Sequence, residues 1–102
     1  MKEYPQVITA EMLTIYAHIS DEEINAEIVD TEREIRQYRD MQAAEQRLAA
    51  SHVEASERKM NAFRASARPN QIAEREEFVA FLRRVQAARN ALQVEATPND
   101  TN

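Results

Sequence analysis

With 102 residues, no cysteine, no glycine and 30% charged side chains, the chain excludes a disulfide framework, a thiolate metal site and a glycine-rich phosphate loop. Missing glycine also removes the residue that tight hairpins and left-handed helix caps rely on, so helices are expected and sheets are not. The net charge of −5 conceals a division: five basic against twelve acidic groups in residues 1–56, and eight against four in residues 57–89.

Residues 1–6 read as a leader, and M-K-E-Y-P-Q-V lacks the apolar core of a secretory signal. No run approaches membrane-spanning length, so a cytoplasmic protein without membrane contact is expected. Thr9 can cap a short helix over about 10–18, gathering Val7, Ile8, Met12, Leu13, Ile15, Tyr16 and Ile19 into an apolar cluster. Ser20 followed by Glu23 is a capping box, with Ile19 and Ile24 at the spacing of a hydrophobic staple. Asp21, Glu22 and Glu23 then lie where the helix dipole favours negative charge, which accounts for the acids without a metal.

From Ser20 the sequence meets neither Gly nor Pro until Pro69, which predicts one long helix over 20–67. Straight, its 48 residues would span roughly 72 Å. Either the helix is extended or it breaks near residues 49–56, where two serines and a valine lower helix propensity; continuity is the expectation. Ile24, Ile28, Thr31, Ile35 and Tyr38 follow the 4-3-4-3 spacing of a coiled-coil seam. The short first helix is too small to cover that seam, so Ile24, Ile28, Ile35 and Tyr38 are expected to form a homo-oligomer interface. Beyond Met41 the stripe swings round, turns alanine-rich, and returns as Val53, Met60, Phe63 and Ala67.

Arg68 precedes Pro69, which disfavours helix there, and Asn70 is a good cap for a third helix over about 71–93. Its apolar face carries Ile72, Phe78, Val79, Phe81, Leu82, Val85 and Leu92. A short connection predicts antiparallel packing against the second half of the long helix, with Phe78 and Leu82 beside Met60 and Phe63. The tail over 94–102 is expected to lack structure.

Chemistry-bearing groups are sparse. His18 and His52 are the only histidines, and neither lies at metal-ligand spacing. No catalytic residue, metal site or cofactor is expected, and enzyme activity is not anticipated. The basic groups Arg58, Lys59, Arg64, Arg68, Arg83 and Arg84 cluster around the expected hairpin, with Arg75 and Arg89 nearby, and are the candidate partner or anion contacts. The resulting expectation is a small all-α interaction protein: an adaptor, inhibitor or assembly factor of the kind frequent among phage and mobile-element genes, binding another protein. One alternative is a nucleic-acid-associated regulator using the basic hairpin around 58–89. The low isoelectric point and the absence of interleaved aromatics weigh against it. A second alternative is an oligomer that sequesters a small anionic ligand.

Overall fold

A computed structural model describes residues 4–51 and 54–96, and among them the only regular elements are three helices. Helix α1 spans Ala10–Ile15, α2 Asp21–Ala49 and α3 Ala55–Ala96. The all-α hairpin with a short N-terminal helix is therefore correct, and its breaks fall elsewhere than expected. The chain turns over residues 50–54, not at Pro69, and α3 runs straight through the proline. The expected tail begins later too, since 94–96 are helical; the rest of it, with His52 and Val53, lies outside the described residues.

Local chemistry starts α1 and α2 as the sequence predicts, whereas Asn70, the expected cap of a third helix, lies inside α3. The Thr9 hydroxyl accepts from the Met12 amide at 3.1 Å, although α1 ends at Ile15, three residues early. Both arms of the Ser20 capping box form: the Glu23 amide donates to Ser20 Oγ, and the Ser20 amide donates to Glu23 Oε1, each at 3.0 Å. The Glu23 carboxyl is held below its ordinary range by those bonds to Ser20, the backbone one foremost.

Among the described residues none has a positive φ, and Ala50 caps α2 at φ −93°, ψ −2°. That backbone region is open to ordinary residues, so a glycine-free chain can turn here. Ser51 secures the exit, its hydroxyl donating to the Leu48 carbonyl at 2.8 Å. The low-propensity stretch near 49–56 thus ends the helix outright.

Pro69 lacks the amide that would bond to the Ala65 carbonyl, a loss worth about 3 kcal/mol or more inside a helix. Packing overrides it. Ala65 and Ile72, on either side, are both buried, while Pro69 itself lies on the exposed face. Breaking the helix there would lift one of the two from α2.

Ile24, Ile28 and Ile35 of α2 form the core with Ile72, Val79, Phe81 and Val85 of α3. The molecule is a rod of 72 × 23 × 19 Å. Its Cα radius of gyration is 20.0 Å, where a compact domain of this length would have about 13 Å. Among the described residues no helix is long and apolar enough to cross a membrane.

Candidate interaction surface

The seam assigned to an oligomer is covered by the chain's own α3. Ile24, Ile28 and Ile35 are buried, and Tyr38 is half-buried beneath the guanidinium groups of Arg75 and Arg68, 4.6 and 5.6 Å from its ring centroid. The reason is the displaced turn: a break at 50–54 brings α3 back along the whole seam. The expected nest of Phe78 and Leu82 against Met60 and Phe63 is overturned for the same reason, since those four side chains now lie along one helix.

The basic cluster also finds partners within the chain. Arg68 forks onto Glu45, with Nε to Oε1 at 3.0 Å and Nη2 to Oε2 at 2.8 Å, and Nη1 donates to Gln71. The two side chains are only 14% and 12% exposed. That hydrogen bonding holds Glu45 below, and Arg68 above, their ordinary ranges. Arg83 meets Glu32 at 2.6 Å, Arg75 meets Glu34 at 3.7 Å and Arg89 meets Asp21 at 3.0 Å. Arg39 and Glu76 close one further pair with the charges reversed, at 2.7 Å. As the position on α2 rises from Asp21 to Glu45, its partner on α3 falls from Arg89 to Arg68, the signature of an antiparallel register. The acidic and basic halves of the sequence are thus largely the two sides of one intramolecular ladder. Arg84 is committed as well, donating from Nε to the Pro5 carbonyl at 3.0 Å. Of the remaining candidates, Arg58 is half-buried, and Lys59 and Arg64 are exposed.

The sequence reading split one stripe of α3 between two helices, with Met60, Phe63 and Ala67 on one and Phe78, Phe81 and Val85 on the other. Met60, Phe63, Ala67, Glu74, Phe78, Phe81 and Val85 recur at three-, four- and seven-residue steps and so share one helix face. Its C-terminal half is covered: Tyr4 lies 5.1 Å from Phe81 and 5.7 Å from Phe78, and Tyr16 meets Phe81 edge-on at 6.0 Å. Arg84 at Pro5, and Arg89 at the Tyr16 carbonyl, pin that covering segment. Across from the stripe, Glu27 and Glu34 of α2 line one recess of about 500 Å³ with Tyr4, Glu74 and Phe78. Met41 and Leu48 continue the Glu27–Glu34 row at seven-residue steps.

A groove therefore runs along the hairpin between these two rows. The leader and α1 fill it at the open end. Toward the turn it is unfilled, and its walls carry Phe63, Met60, Leu48 and Met41, which are 70, 50, 46 and 41% exposed. At the turn end Gln42, Gln46, Ala49, Ala62, Ala65 and Pro69 line a further recess of about 500 Å³. A 3.5-residue repeat flanking the main stripe was the signal that could have revealed this face.

On the opposite side a recess of about 730 Å³ is lined by Glu32, Arg36, Arg39, Glu76, Arg83 and Arg84. Arg84 Nη2 is buried there without a hydrogen-bond partner among the described residues. His18 is exposed, its Nδ1 donating to the Ile15 carbonyl at 3.1 Å. Among the described residues no group of three or more His, Asp or Glu is placed to hold a metal. The chain matches no known protein family, no curated protein and no solved structure.

Proposed function

We propose that this protein is a helical interaction module that works by surface binding, as an adaptor, inhibitor or assembly factor, and that its docking surface is the unfilled half of the groove. The observation carrying this reading is the exposure of Met60 and Phe63 on α3 and of Met41 and Leu48 on α2, along the two rows that flank the groove. Scattered exposed apolar residues are normal; a contiguous set continuing a groove that is already used for packing marks a binding surface. The seam of Ile24, Ile28 and Ile35 no longer supplies that surface. The nucleic-acid alternative drew on a cluster of unpaired arginines, and the ion-pair ladder leaves few of them to support it.

A photo-reactive side chain at position 63 tests the proposal. It should capture a protein in cells, whereas the same group at Val29, exposed on α2 away from the groove, should not. Equal capture from both positions, or none from 63, would remove the reading. The anionic-ligand alternative keeps one supporting observation, the recess that Arg36, Arg39, Arg83 and Arg84 line with Glu32 and Glu76. If it holds, inorganic phosphate raises the melting temperature of the wild type and fails to do so for Arg36→Gln.

A further inference from the structure

We infer that the occupant of the open half-groove is a second copy of this chain, two hairpins meeting by their turn-end halves about a two-fold axis. This inference rests on the docking surface just proposed and names its partner.

Two observations carry it. The groove is one continuous feature whose other half is filled by this chain's own apolar side chains, so surface of the same kind suits the remainder. The patch is also self-complementary in charge. Glu57 and Arg64, both exposed and two turns apart on α3, bracket Met60 and Phe63. A two-fold axis passing near Met60 and Phe63 runs the second α3 antiparallel to the first. Arg64 of each copy then lies opposite Glu57 of the other, and the aromatic and thioether side chains meet at the centre. A self-matching surface of this kind is what a two-fold interface requires.

Sedimentation equilibrium of the full chain across micromolar concentrations tests it. The expected mass is twice the 11.8 kDa of the chain. Phe63→Glu and Met60→Glu should each give a monomer with unchanged helical circular dichroism, because both side chains are exposed in the single hairpin. Arg64→Glu and Glu57→Arg should each weaken the dimer about tenfold or more, by setting like charges opposite one another at both symmetry-related positions. The double reversal should restore it. A monomer at every concentration overturns the inference. So does a dimer indifferent to Phe63→Glu and Met60→Glu. A monomer that still cross-links a different protein from position 63 removes only the second copy and leaves the docking surface standing.

Discussion

Arg68 and Glu45 form the most enclosed ion pair among the described residues, forked and backed by the Tyr38 ring. Exposed pairs such as Arg33–Asp30 contribute little, because water and salt screen them and two long side chains must be immobilised. The Glu45 and Glu23 carboxyls are both depressed below 4.5, Glu45 by Arg68 and Glu23 by its bonds with Ser20. A carboxyl with a depressed folded value stabilises the fold fully above its ordinary value and loses that contribution as pH falls through the depressed one. Urea denaturation should therefore show constant stability near neutrality and a decline at pH below 4.5. Glu45→Gln should flatten part of that decline. An unchanged slope in the variant would mean that Glu45 titrates alike in both states.

The helices respond to packing before propensity. Pro69 is tolerated because the turn of helix around it is clamped to α2 by Ala65 and Ile72. Replacing it with alanine restores an amide bond and relieves the ring clash, so Pro69→Ala should stabilise the protein by about 2–3 kcal/mol. A neutral result would mean that the chain does not follow helical geometry there. The two faces of α3 make a paired prediction. Val85, 2% exposed, should cost about 1–3 kcal/mol as Val85→Ala, whereas Phe63→Ala should leave the thermal midpoint of the monomer nearly unchanged. The larger side chain matters less because it buries less.

Across the whole rod, stability is unevenly distributed. The open end joins α2, α3, α1 and the leader around the isoleucine, valine and aromatic core, with Arg89 bonded to both Asp21 and the Tyr16 carbonyl. The turn end is two helices, with Ala49, Ala62 and Ala65 lining the recess there. Regions with few buried apolar contacts open at lower free energy than the global transition. Hydrogen exchange should accordingly grade along the rod, with amides at 41–48 and 56–64 exchanging faster than those at 24–35 and 78–85. A second copy in the groove would slow the former set with rising protein concentration, and Phe63→Glu would abolish that dependence.

Fold class, the capping of α1 and α2, the isoleucine seam and the charge division were all legible in the residues. Each rests on local chemistry: absent glycine, a serine three residues before a glutamate, apolar positions at helical spacing. The place of the turn was not legible. Proline 69 and the serine-containing stretch near 51 are both plausible breaks by propensity, and only the packing of Ala65 and Ile72 on α2 decides between them. The misread seam, aromatic nest and arginine contacts all follow from that one displacement. With the turn at 50–54, α3 reaches the whole seam, the isoleucines become core, the arginines meet the acids of α2, and Phe63 is left outside. A seam and a ladder can be read from a sequence as surfaces awaiting partners. Whether the partner is another molecule or the same chain folded back depends on where the chain turns, which the tertiary contacts determine.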